Sequence, residues 1–121
     1  MEKVNLQAKF DAIHDHWVPR VVGELNGQHV KVAKIQGEYV WHHHADEDEM
    51  FLVNAGQLVL ELPDRKVTLG PGEFFVVPRG VEHRPIAKEV VEVVLFEPAT
   101  TRNTGQVEND YTIEAEDLER I

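Results

Sequence analysis

The chain has 121 residues carrying 22 acidic and 12 basic side chains, a formal charge of −10, with seven histidines and no cysteine. Its length suits one domain, residues 1–121, of the usual ~100–200 residues, and a composition 42% hydrophobic and 28% charged is that of a folded, soluble protein. The acid excess argues against nucleic acid as a partner. The lack of cysteine removes disulfides, thiolate metal sites and cysteine nucleophiles together.

No stretch approaches the ~20 apolar residues of a membrane span, and no basic-then-apolar leader opens the chain, so a cytoplasmic protein without membrane contact is expected. Eighteen residues are valine; branched side chains favour pleated, half-buried surfaces, and an all-β fold is the first expectation. Near the start, Leu6, Phe10, Ile13 and Trp17 form a helical stripe with Asn5 as its N-cap, closed by Pro19. A strand follows over 20–25, and Asn26-Gly27 turns it into a second strand over 30–35. Lys31 and Lys34 lie on opposite parities of that strand, which predicts a bulge or an edge position.

From Gly37 onward, strand-like segments occupy 38–45, 49–54, 57–62, 66–69, 74–77, 81–86 and 90–97. Turns rich in glycine and proline separate them, which predicts a small β-sandwich or barrel instead of βαβ units. Residues 99–111 read as a polar surface loop and 114–121 as a short terminal helix. The strands at 74–77 and 90–96 are apolar on both parities. Their second face calls for cover by that helix or by a second copy, and a homodimer is expected.

His42 and His44, two apart on an extended segment, project from one face. Tyr39, Trp41 and His43 take the other, with Tyr39 and Trp41 expected outside or at a subunit contact. Converging imidazoles suit a metal ion, which needs several ligands at ~2.0–2.3 Å. Glu49 opens the next strand and, if it faces inward, takes Phe51 and Val53 with it. The Pro78-Arg79-Gly80 turn can aim His83 at the same place. His14, His16 and His29 read as surface residues, and Asp46, Glu47 and Asp48 as a solvated acidic loop. Arg79 and Arg84 read either as surface residues or as partners for an anionic substrate group.

Together these segments resemble the two motifs of the cupin superfamily. Gly37, His42, His44, Glu49 and Gly56 match the first, at 37–56. Gly72, Pro78, Gly80 and His83 match the second, at 72–87, with Ala87 where an Asn commonly falls. The first Gly-to-His spacing is one residue shorter than the commonest form. The likeness spans about residues 30–97 and is closest in flavour to small single-domain cupins similar to mannose-6-phosphate isomerase. It implies a small all-β barrel of jelly-roll type with a short N-terminal helix. It also implies a divalent transition metal (Fe, Mn, Zn, Ni or Co) held by His42, His44, Glu49 and His83 in the barrel mouth.

Three imidazoles and a carboxylate leave an octahedral ion two further positions. A net site charge of about +1 suits an anionic or polyhydroxylated small-molecule ligand. Three functions are compatible with such a site: a metal-dependent enzyme of dioxygenase or sugar-isomerase type, a non-catalytic binding module, and a barrel that the ion merely stabilises. Imidazole ligates only when neutral, so affinity is expected to fall as pH drops through ~6.5.

Overall fold

The computed structural model describes residues 2–121. A short helix, α1 (Leu6–Asp11), precedes seven strands: β1 (Arg20–Leu25), β2 (Gln28–Glu38), β3 (Glu49–Ala55), β4 (Leu58–Glu61), β5 (Lys66–Leu69), β6 (Phe74–Val77) and β7 (Arg84–Pro98). A 3-10 turn at Ala115–Asp117 lies near the end. Among the described residues no helix is long and apolar enough to cross a membrane.

β7 organises the sheet. It pairs with β2 from Gln28↔Pro98 to Glu38↔Ile86, while its other edge takes first β3 and then β4. β3 and β4 therefore run as one line along β7, broken at Gly56. A Cβ there would lie 2.8 Å from the Val90 carbonyl oxygen, and φ is +90°, so only glycine lets the two backbones approach and the line bend. β1 flanks β2, β6 flanks β3 and β5 flanks β4, all antiparallel, and the sheet curls around an interior.

Alternation along these strands separates two apolar clusters. Ile35 of β2, Phe51 and Val53 of β3, Leu58 and Leu60 of β4, and Val91, Val93 and Leu95 of β7 fill the interior. Val32 and Val94, on the opposite parity, face outward and are covered by Phe10 and Ile13. Burying each of those two covering side chains contributes ~1.5–3 kcal/mol. The N-terminal segment thus covers the outer face of β7 around Val94, while Val90 on the same face is exposed. On β6, by contrast, Phe74 and Val76 are exposed.

The N-terminal helix is shorter than its stripe. Asn5 Oδ1 caps it, accepting from the Ala8 N–H, but α1 stops at Asp11. Ile13 continues to the outer cluster, whereas Trp17 crosses to the interior on a backbone with φ +64°. That conformation is costly for a bulky residue. It is held by bonds from the Trp17 amide to the Lys34 carbonyl and from the indole N–H to the Gln36 carbonyl, each 2.9 Å.

Three further expectations are refined. Of the two alternatives for β2, the bulge is present, as a register shift at Ile35/Gly37, whereas the edge position is not: β2 lies between β1 and β7, and Lys31 breaks its alternation because it is buried. The segments at 81–86 and 90–97 merge into the continuous β7, and 38–45 has no strand beyond Glu38 except a single bridge between His42 and His83. The helix expected over 114–121 is reduced to the 3-10 turn at Ala115–Asp117. After the 3-10 turn the chain lies beside β1, with Val21 N–H bonding the Glu119 carbonyl at 2.9 Å and Ile121 N–H the Val21 carbonyl at 3.1 Å. The free edge of β1 satisfies backbone groups that so short an isolated helix could not.

Candidate metal centre

Each predicted ligand is fastened by its backbone. His42 N–H donates to the His83 carbonyl at 3.1 Å, and His83 N–H returns the bond to His42 at 2.9 Å. Gly80 N–H donates to the His44 carbonyl at 2.8 Å, which ties the Pro78-Arg79-Gly80 turn to the histidine segment. Glu49 begins β3, pairs with Val77 and faces inward with Phe51 and Val53, as alternation requires. The four side chains are buried, and their ligand atoms lie within 4.8 Å of one another, a grouping that could hold a metal ion.

The donor chemistry suits a cation. Nδ1 of His42 lies 2.8 Å from the Val40 carbonyl, and Nδ1 of His83 lies 2.9 Å from the Val81 carbonyl. A carbonyl only accepts, so each ring carries its proton on Nδ1 and turns the Nε2 lone pair toward the cluster. Nε2 of His83 and of His44 stand 3.2 Å and 3.4 Å from the same oxygen, Glu49 Oε1. Nε2 of His44 is buried without a hydrogen-bond partner. Lone pairs and a carboxylate gathered this closely call for a shared proton or a cation.

Burial, reinforced by His83, lowers the His42 pKa to about 4. Burial acts on His83 in the same sense, but its hydrogen bond to Glu49 outweighs this and the pKa is raised. Glu49 is held well below the usual carboxylate range: burial works against it, and its interactions with the neighbouring Glu97, His44 and His83 prevail. Three imidazoles and one ionised carboxylate fit a borderline divalent ion of the Fe, Mn, Co, Ni or Zn type.

Beside Glu49 lies a buried pair that sequence reasoning missed. Lys31 Nζ donates to Glu97 Oε1 at 2.8 Å, and neither side chain is more than 2% exposed. Burial and the negative charge of Glu49 push the Glu97 carboxyl well above its usual range, and its buried Oε2 has no hydrogen-bond partner. The available signals were the lysine that spoils alternation in β2 and the glutamate ending the apolar run of β7. Only the β2–β7 register brings the two together.

A narrow, partly enclosed pocket reaches His42 and Glu49. Its walls are mostly apolar, with Trp17, Ile35, Phe51, Val93 and Leu95 prominent, and Tyr39, Glu97 and Asn103 also line it. Tyr39 is therefore interior, contrary to expectation, because the irregular 39–48 segment does not keep strand parity. Trp41 stays exposed, with the Arg84 guanidinium 5.5 Å above its ring. His29 is likewise buried, since it shares the inward parity of Lys31 on β2.

The remaining candidates lie outside the pocket. Arg79 pairs with Asp48 at 3.3 Å, and Arg84 pairs with Glu61 at 2.7 Å and Glu38 at 3.3 Å. His43 Nδ1 meets Glu82 at 2.9 Å, Glu47 accepts from the Thr100 hydroxyl at 2.8 Å, and Asp46, His14 and His16 are exposed.

The 99–111 segment is more than a surface loop. Thr101 and Thr104 are fully buried, and Gln106 Oε1 accepts from the His43 N–H at 2.9 Å. A Cβ on Gly105 would fall 2.1 Å from the His43 carbonyl oxygen, so this loop presses directly on the ligand-bearing backbone.

The family model described as the cupin domain matches residues 28–97. The chain belongs to the cupin family. A curated relative, the uncharacterized protein YdbB of Bacillus subtilis (strain 168), is 33% identical over 81 residues, 66% of this chain and 72% of that one. Among solved structures, a cupin-2 domain containing protein from Shewanella frigidimarina is 45% identical with a TM-score of 0.77, over 78% of this cupin and 93% of that chain. Protein NMB1881 from Neisseria meningitidis is 31% identical with a TM-score of 0.74, over 80% of this cupin and 99% of that chain.

Proposed function

We propose that this cupin binds one divalent metal ion through His42, His44, Glu49 and His83 and uses it in a reaction on a small molecule. The observation that carries this reading is the pocket that reaches His42 and Glu49 from outside. An ion serving stability alone needs no such access. When bound, the ion would supply Lewis-acid polarisation of an oxygen on the substrate, and an iron ion would add dioxygen chemistry. The protein's own part is to keep His42 neutral and Glu49 ionised and to exclude water with apolar walls.

Of the two reaction types compatible with the sequence, the oxygenase type has the better support. Arg79 and Arg84 are spent on carboxylates outside the pocket, which leaves a sugar phosphate without the partners it would need. Exposed Phe74 and Val76 on the edge strand β6 support a homodimer, which sedimentation velocity would check.

Elemental analysis of anaerobically purified protein, beside a His44→Ala variant, tests the central claim. About one equivalent of transition metal in the wild type and little in the variant is expected. Absence of metal from both proteins overturns the reading. Oxygen uptake by the Fe(II)-loaded protein with candidate enediols or 2-oxo acids then separates an enzyme from a binding module.

A further inference from the structure

Tyr39 lines the pocket together with the ligands His42 and Glu49, and its side chain is more than nine-tenths buried. Its ring stacks on Trp17 at 4.5 Å between centroids and meets the His42 ring edge-on at 5.5 Å. Tyr111 closes over the same pair, 5.2 Å from Tyr39 and 6.1 Å from Trp17. These contacts fix the plane of the phenol. They leave its hydroxyl with no hydrogen-bond partner among the described residues, and that oxygen is not among the buried unpartnered atoms, so it stays open to a molecule in the pocket.

The other polar groups of the pocket are already engaged. Asn103 donates to the Tyr111 carbonyl at 2.8 Å and accepts from the Ile113 N–H at 3.0 Å. Glu97 Oε1 accepts from Lys31, and its Oε2, which has no hydrogen-bond partner, is buried out of reach of solvent. No arginine or lysine is part of the pocket lining.

We propose that the Tyr39 hydroxyl is the hydrogen-bonding contact for the pocket's ligand, and that the ligand is a small, flat, largely apolar molecule with its polar end toward His42 and Glu49. The flat shape follows from the stacked rings of Trp17 and Tyr39 that form one wall. The apolar body follows from Ile35, Phe51, Val93 and Leu95. A phosphate or a second negative charge finds no cationic side chain there, and a polyol finds too few free partners to replace its water. This inference deepens the reading of the site as a metal centre and rests on it for the orientation of the ligand.

The test uses the full chain loaded with Zn(II), and the same chain stripped with a chelator, with metal content measured on every sample. 4-Nitrocatechol serves as the flat probe and fructose 6-phosphate as the polar one, with binding followed by calorimetry. The zinc-loaded wild type is expected to bind 4-nitrocatechol and not fructose 6-phosphate. Tyr39→Phe keeps both ring contacts and should retain its zinc and its melting temperature while binding the probe ~3–10-fold more weakly, the worth of one hydrogen bond. Unchanged probe affinity in Tyr39→Phe, or fructose 6-phosphate binding as tightly as 4-nitrocatechol, overturns the proposal. Tyr39-dependent probe binding by protein that retains no zinc upholds the contact and refutes the metal reading instead, so the two failures are told apart.

Discussion

The ring centroids of His42 and His83 lie 4.3 Å apart, and their backbones exchange two hydrogen bonds, so two residues from distant parts of the chain share one rigid mount. The backbone bridge survives truncation of either side chain, which separates loss of a ligand from loss of the fold. His83→Ala and His44→Ala are each expected to weaken zinc binding by at least ~100-fold. His43→Ala, whose ring turns away toward Glu82, should change it by less than about threefold. Competition with a chromogenic chelator measures all three; a His43→Ala variant as defective as the others would contradict the assignment.

Metal uptake should release protons. In the metal-free protein the His83 pKa is raised, while that of His42 lies at about 4. Near pH 6.5 an arriving ion must displace roughly one proton, which His83 shares with Glu49. Apparent affinity therefore weakens as pH falls through the raised His83 value, which lies above the ordinary ~6.5 of imidazole, and His42 adds its own loss only near pH 4. Calorimetric titration in two buffers of different ionisation enthalpy gives the proton count; a value near zero at pH 6.5 would speak against this coupling.

His29 predicts a separate pH effect on stability. Burial, reinforced by the charge of Lys31, lowers its pKa in the folded state. Above the unfolded value of ~6.5 both states are neutral and the residue contributes no slope. Below it the unfolded chain takes up the proton first, so stability is lost as pH falls through ~6.5 toward the lowered folded value. Urea midpoints measured between pH 7 and 5 should fall less steeply in His29→Gln than in the wild type. Parallel slopes would show that His29 is not the source.

Two glycines of similar backbone give a graded test of the C-terminal loop. Both Gly27 and Gly105 have positive φ, but a Cβ on Gly27 meets nothing within 4 Å, whereas one on Gly105 collides with the His43 carbonyl. Gly27→Ala should cost about 1 kcal/mol and leave zinc affinity intact. Gly105→Ala adds displacement of the ligand backbone and should cost ~2–4 kcal/mol, with at least a tenfold loss of zinc affinity. Denaturant melts of the metal-free proteins, paired with zinc titrations, separate the two effects.

The strands and turns were legible because they obey local rules, period-two alternation and glycine and proline punctuation, and the grouping of His42, His44, Glu49 and His83 was legible through the resemblance to the two cupin motifs. Residues governed by tertiary register were not. Lys31 and His29 look like surface residues in a strand read alone, and they become interior once β2 is flanked on both sides. Tyr39 was placed outside because parity was carried through a segment that is not a regular strand. The C-terminal segment was read as a helix from composition, whereas the unpaired edge of β1 decided its backbone.

The ladder between β2 and β7 has a kinetic consequence. Its outermost pair joins Gln28 to Pro98, so most of the chain forms a loop that closes before the interior has two sides. Loop entropy opposes that step, and a topology so rich in non-local pairing folds in about milliseconds to seconds. Glu49 meets Glu97 and Lys31 only when the closure is complete. A cation bound by the proposed ligands would therefore enter a finished cage, and its expected effect on lifetime is slower unfolding with the folding rate unchanged.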